Sequence, residues 1–167
     1  RISRAVSHGA SAYLKRQYLG VSVFFAVVFV VLLCMAFAGL LSFFTPVAFI
    51  TGGFYSGLSG FIGMRTATMA NCRTANAASH SLNKGLRVAF SAGSVMGFTV
   101  VGLGLLDLSV WYFFLKFFYT VISPVPAAEL ASAISSNMLT FGMGASSMAL
   151  FARVGGGIFT KAADVGA

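Results

Sequence analysis

FGMGASSMALFARVGGGIFTKAADVGA, residues Phe141 to Ala167, opens as an apolar helix of small side chains and closes on Arg153, Lys161 and Asp164. A continuous helix turns about 100° per residue, which places Lys161 about 80° around from Arg153 and Asp164 only about 20°. The three charges share one stripe. With about 1.5 Å of rise per residue, Lys161 stands roughly 12 Å beyond Arg153 and Asp164 roughly 16 Å beyond it. If the apolar half lies in a bilayer, Arg153 marks its edge and the Lys–Asp pair stands clear of it.

Composition supports the bilayer. A soluble domain carries about 25% charged residues, whereas this chain has 8%, with 58% apolar residues and 18 phenylalanines. Several stretches of about 20 residues are free of charge, the length a helix needs to cross a membrane. The fold class is therefore all-α, a polytopic transmembrane helix bundle. Its four spanning helices are read at about residues 18–41, 46–64, 88–106 and 131–152. The intervening segments 1–17, 65–87 and 153–167 fall on one side and hold every basic residue except Lys116. Positive charge marks the cytoplasmic side, so the N-terminus is cytoplasmic. The net charge of +8 reflects this topology and not a nucleic-acid partner. All 167 residues read as a single membrane domain, part of a larger bundle.

Each segment adds a local expectation. Arg1 to Gln17 reads as a short amphipathic helix lying on the membrane surface. Pro46 is placed to open the second span. There Ala48, Gly52, Ser56 and Gly60 recur every four residues, the pattern that lets helices approach closely in lipid, and Gly93-x-x-x-Gly97 repeats the signal in the third span. Arg65 to Arg87 reads first as a basic cytoplasmic connection and only second as a phosphate-steering surface. Asp107 falls far enough along its helix to read first as an interfacial residue and only second as an intramembrane ion site; beyond it Trp111, Tyr112 and Tyr119 with Lys116 read as an aromatic belt. The fourth span carries Ser132, Ser135, Ser136, Asn137, Thr140, Ser146 and Ser147. That much hydroxyl and amide suits the interior of a bundle better than lipid. Cys34 and Cys72 are too differently placed to pair, and neither His8 nor His80 has a second ligand at helical spacing. The Gly155–Gly157 run lacks the strand and the Lys-Ser/Thr ending of a nucleotide loop. Its expected role is close helix approach, with a local bend.

The segment FARVGGGIFTKAADVGA resembles the membrane-bound pyrophosphatases, ion pumps driven by pyrophosphate hydrolysis. GASAYLKRQY (Gly9 to Tyr18), GFIGMRTATMANCRTA (Gly60 to Ala75) and SAGSVMGFTVVGLGLL (Ser91 to Leu106) extend the likeness over essentially the whole chain. The resemblance implies a hydrolase and translocase that couples cleavage of cytoplasmic Mg-pyrophosphate to export of H⁺ or Na⁺. It places Lys161 on the family's phosphate-binding lysine, Asp164 on its first Mg²⁺-site aspartate and Arg153 on the arginine at the mouth of its ion channel. It further implies Mg²⁺ as cofactor, with K⁺ as an option, and as partners pyrophosphate, the transported cation, the lipid bilayer and the remaining helices. A homodimer in a bacterial plasma membrane belongs to the same expectation. The family's aspartate-rich motifs are missing, as is its first helix. The chain therefore looks like an N-terminal-region fragment, inactive alone and without a catalytic residue of its own. A channel, transporter or accessory subunit without chemistry explains the helices and their orientation equally well. It does not explain a Lys–Asp pair held beyond the membrane on the stripe of Arg153.

Orientation is open to direct measurement. A membrane-impermeant thiol reagent applied to intact cells should label a Ser123→Cys variant and leave Cys72 unmodified. Labelling of Cys72 would overturn the assignment of the basic segments to the cytoplasm.

Overall fold

Ser81, in extended conformation with φ −165° and ψ 133°, is all that separates the two central helices of the chain. The computed structural model describes residues 2–124 and 126–166. Among them are four long α-helices: α1 (Ile2–Phe37), α2 (Phe44–His80), α3 (Leu82–Phe117) and α4 (Ala127–Gly166). A five-residue π-helical turn, Phe118–Ile122, closes α3. Each α-helix has 36 to 40 residues, roughly 54–60 Å at about 1.5 Å per residue. That is nearly twice the hydrocarbon core of about 30 Å. Three stretches are both long and apolar enough to cross a membrane: Ala5–Phe37, Phe44–His80 and Leu82–Ile122. The serine-rich α4 is not among them.

The connections follow from residue chemistry. Beyond α1 the chain turns at Gly39, whose φ of +76° is the left-handed conformation that glycine adopts without steric cost. The Leu40 amide donates back to the Met35 carbonyl. At the start of α2, the Thr45 and Phe44 amides bond to the Ser42 carbonyl and hydroxyl. Pro46 occupies the third helical position, where its missing N–H leaves no intrahelical bond unmade.

Cross-contacts set the topology. Tyr18 bonds Gly57 and Gln17 bonds Phe151, Trp111 meets Thr51, and Thr45 and Ser56 meet Asn137 and Ala145. The helices thus run alternately up and down, with α2 touching all the others. The ends carrying Arg16, Arg65, Arg87 and Arg153 gather on one side. Two apolar clusters form the core. Val21, Phe25, Phe49 and Met148 join α1, α2 and α4. Ala48, Trp111, Leu115, Ile134 and Phe141 join α2, α3 and α4.

Two sequence-based expectations need correction, and a third is not met among these four helices. Residues 2–17 do not form a separate surface helix but continue into the first span as one helix, because neither Gly9 nor Gly20 is obliged to break it. Trp111 is not a belt residue. It is buried, and its indole N–H donates to the Thr51 hydroxyl at 2.8 Å. Gly93 and Gly97 face open space, so α3 turns this small-residue pair away from α1, α2 and α4.

The small residues of α2 behave as expected. A Cβ on Gly52 would run into the Phe141 carbonyl, and one on Gly144 of α4 into the Phe49 carbonyl. Gly53 receives the Phe25 ring and Gly57 the Met148 methyl. Backbone cannot yield as a flexible side chain can, so Gly144→Ala should force α2 and α4 apart. Gly142→Ala meets nothing within 4 Å and serves as the control. In detergent, Gly144→Ala should lower the thermal midpoint by several degrees, the effect of roughly 1–3 kcal/mol of overpacking, while Gly142→Ala leaves it unchanged or raised. Equal midpoints would refute the close approach.

Candidate functional site

The C-terminal half of α4 carries the three charges, and its two faces differ. Taking Arg153 as zero on a helix of about 100° per residue, the buried positions Asn137, Phe141, Gly144, Met148 and Gly155 all fall at roughly 180–240°. These residues pack on α1, α2 and α3. Arg153, Lys161 and Asp164 occupy the opposite face, between about 0° and 80°, and all three are exposed. Ser132, Ser135 and Ser146 fall in the same sector at roughly 60°, 0° and 20° and are exposed too. The helix runs unbroken through Gly155–Gly157. These residues form a line on the side of α4 turned away from the other three helices, interrupted by the exposed Leu139, Met143 and Leu150.

Tyr13, Gln17 and Tyr18 of α1 hold the bundle together behind that line. Gln17 Nε2 donates to the Phe151 carbonyl at 2.6 Å, two residues before Arg153. Gly155 has no side chain, and the Tyr13 hydroxyl and Gln17 amide occupy the space its Cβ would need. The Tyr13 ring then meets Phe159, with centroids 5.6 Å apart, and the Tyr18 hydroxyl donates to the Gly57 carbonyl of α2 at 2.7 Å. The first glycine of the run is thus a seat for α1, as expected of close approach. Gln17 and Tyr13 were not singled out from the sequence. Their only signal was a glutamine and two tyrosines at the junction between a polar and an apolar segment.

A second polar cluster lies towards the other end of the bundle. Thr45 donates to Asn137 Oδ1 at 3.2 Å, and Asn137 Nδ2 reaches the Ala133 carbonyl at 2.9 Å. The Thr51 hydroxyl accepts from Trp111 and donates to the Ala48 carbonyl at 3.1 Å. Asp107 packs beside Thr51, only 3% exposed, with Oδ2 lacking a hydrogen-bond partner. The expectation for Asp107 concerned depth along the helix. What turns it inward is the rotation of α3, which sets it one turn before the buried Trp111 on the same face.

The charges brought together are few. Among the described residues no three His, Cys, Asp or Glu side chains are grouped to hold a metal ion. Asp164 can supply one carboxylate and Lys161 one ammonium.

The family model described as inorganic H⁺ pyrophosphatase matches residues 1–167. The chain is 55% identical, over its whole length, to a putative K⁺-stimulated pyrophosphate-energised sodium pump of Bacteroides thetaiotaomicron. It is 43% identical to a K⁺-insensitive pyrophosphate-energised proton pump of Moorella thermoacetica and 40% identical to another of Methanosarcina mazei, each over 99% of the chain. It spans 23%, 22% and 22% of the length of these relatives. No solved structure matches. With the match running from the first residue to the last, across Gln17, Arg153, Lys161 and Asp164 alike, the chain belongs to the inorganic H⁺ pyrophosphatase family.

Proposed function

We propose that this chain is the N-terminal-region part of a pyrophosphate-energised cation pump, with Lys161, Asp164 and Arg153 as its contribution to substrate binding and ion passage. The observation that carries the reading is the exposed stripe of Arg153, Lys161 and Asp164 on α4, directed away from α1–α3. Its chemistry is that of a shared site: an ammonium, a carboxylate and a guanidinium, all awaiting partners outside residues 1–167.

The roles follow from position. The Lys161 ammonium is a point charge suited to phosphate oxygens. Asp164, within one turn of it, is a fitting single ligand for Mg²⁺, which is commonly held by one or two carboxylates together with substrate phosphates and water. When bound, that ion would neutralise phosphate charge and orient the substrate. Arg153 lies roughly 12 Å nearer the membrane along the helix, too far to share the phosphate. It stands where the serine line enters the apolar region, placed to pair with an intramembrane carboxylate on another helix. α4 is then the fourth spanning helix, inside a larger bundle. The basic ends lie in the cytoplasm of a bacterial plasma membrane, and the pump works as a homodimer. The relatives' names include both sodium and proton pumps, K⁺-stimulated and K⁺-insensitive. This chain's own charges favour neither ion.

The decisive measurement uses the intact pump in sealed vesicles, with phosphate release and ion uptake followed together. Lys161→Ala should lower both in step by about a hundredfold, since a lost charge-assisted contact in the transition state is worth roughly 3 kcal/mol. Arg153→Ala should lower ion uptake at least as much as hydrolysis. Absence of phosphate release from the unaltered pump would end the hydrolytic reading. Normal hydrolysis and normal uptake per pyrophosphate in Arg153→Ala would end the channel role of that arginine.

A further inference from the structure

Of the charged residues described, only Asp107 is buried in the bundle. Its depth follows from the register of α2 and α3, which run antiparallel. Gly63 lies against Met96, and Thr51 meets Trp111. Asp107 is therefore level with about residues 52–55 of α2, roughly 15–20 Å from Arg65 along that helix. Arg65 ends the charge-free run of α2, and the hydrocarbon core is about 30 Å thick. Towards the outer side, Lys116 stands roughly 14 Å further along α3. Asp107 thus lies near the middle of the membrane and not at an interface.

A carboxylate at that depth needs a positive charge beside it, and the bundle offers none. Every basic residue but Lys116 belongs to segments 1–17, 65–87 and 153–167. Lys116 follows Asp107 by nine residues, about 180° around the helix. Its ammonium lies 5.9 Å from the centre of the exposed Tyr112 ring. Among the described residues Oδ2 has no hydrogen-bond partner. Closed over by the bundle, the carboxyl also presents almost no surface that a cationic side chain of a further helix could reach. Water supplies a hydrogen bond but no charge.

The neighbouring hydrogen bonds select the form of the group that fits. A hydroxyl has one proton to give and two lone pairs to receive with. The Thr51 proton goes to the Ala48 carbonyl at 3.1 Å, and one of its lone pairs takes the Trp111 N–H at 2.8 Å. Thr51 has a lone pair left for the adjacent Asp107, and a carboxylate can only accept. A carboxylic acid can donate. Turning the hydroxyl to the carboxyl instead would take its proton from the Ala48 carbonyl and still leave Oδ2 bare. A divalent metal takes about six oxygens or more, whereas no three His, Cys, Asp or Glu side chains are grouped among the described residues. A proton needs a single lone pair.

We propose that Asp107 is a proton-binding site near the middle of the membrane, its carboxyl held as the neutral acid that donates to the Thr51 hydroxyl. Oδ2 is then a carbonyl oxygen and carries no share of a charge. The chain of Trp111, Thr51 and Asp107 joins α2 to α3 without burying an ion. The inference does not depend on the proposed hydrolysis.

Infrared difference spectroscopy of the intact, detergent-purified pump at neutral pH tests it, because a carboxylic acid has a C=O stretch that a carboxylate lacks. The spectrum of the unaltered protein minus that of Asp107→Asn should contain this acid band. Thr51→Val should keep the band and move it to higher frequency, since the acid loses its acceptor. Sodium should shift the thermal midpoints of the unaltered protein and of Asp107→Asn equally. Should Asp107→Asn fail to fold, the band shift between Thr51→Val and the unaltered protein decides alone. Absence of the acid band, or of that shift, overturns the proposal: Asp107 is then ionised, or its proton is directed elsewhere. A midpoint that sodium raises in the unaltered protein and not in Asp107→Asn also overturns it, by making sodium the counter-charge.

Discussion

The backbone contact between α2 and α4 is the constraint on which the arrangement depends. At Gly52 and Gly144 each helix presses on a carbonyl of the other, Phe141 and Phe49 respectively. Lipid offers no hydrophobic reward for bringing two apolar helices together, so association rests on packing and on a few polar contacts. Only glycine allows main chains this near. Once they are, Ser56 can donate to Ala145 at 3.0 Å and Thr45 to Asn137. Such interhelical bonds average only about 0.6 kcal/mol in membranes, too little to position a helix by themselves. They refine a geometry that shape has already set.

That geometry gives α4 an inner and an outer side. Its inner side is used up by α2 along the span and by Tyr13 and Gln17 of α1 beyond it. Gln17 grips the Phe151 carbonyl on the opposite side of α4 from the charged line. The contact therefore steadies the segment bearing Arg153 without obstructing it. Rigid support behind and exposed charge in front is what a shared ionic site requires of one of its contributors.

Much of this was legible in the sequence, and what was missed has a common cause. The helical class, the basic side, the close-packing residues of α2 and the single stripe of Arg153, Lys161 and Asp164 all follow from spacing and charge. Spacing gives positions on one helix but not the rotation of that helix against its neighbours. Gly93 and Gly97 repeat the pattern of Gly52 and Ser56, yet α3 turns them outward and packs through Asp107, Trp111 and Leu115 instead. Trp111 likewise has the composition of a belt residue and the rotation of a core one. The length of α1 was missed for a different reason. Amphipathic and apolar segments have different solvents, but nothing between Gln17 and Tyr18 obliges the helix to stop.

The unpartnered polar groups complete the physical account, since their distribution is not random. Inside the bundle the hydroxyls and amides of Thr45, Thr51, Trp111 and Asn137 are paired with one another or with backbone, as burial demands. Asp107 Oδ2 is the exception among the described side chains. On the outer surfaces the pattern reverses. The α4 charges, Arg73 and Arg87 stand exposed, and among the described residues no ion pair joins them, at the basic end of the bundle. A chain with eleven basic residues and three acidic ones cannot neutralise itself. Its counter-charges come from its surroundings.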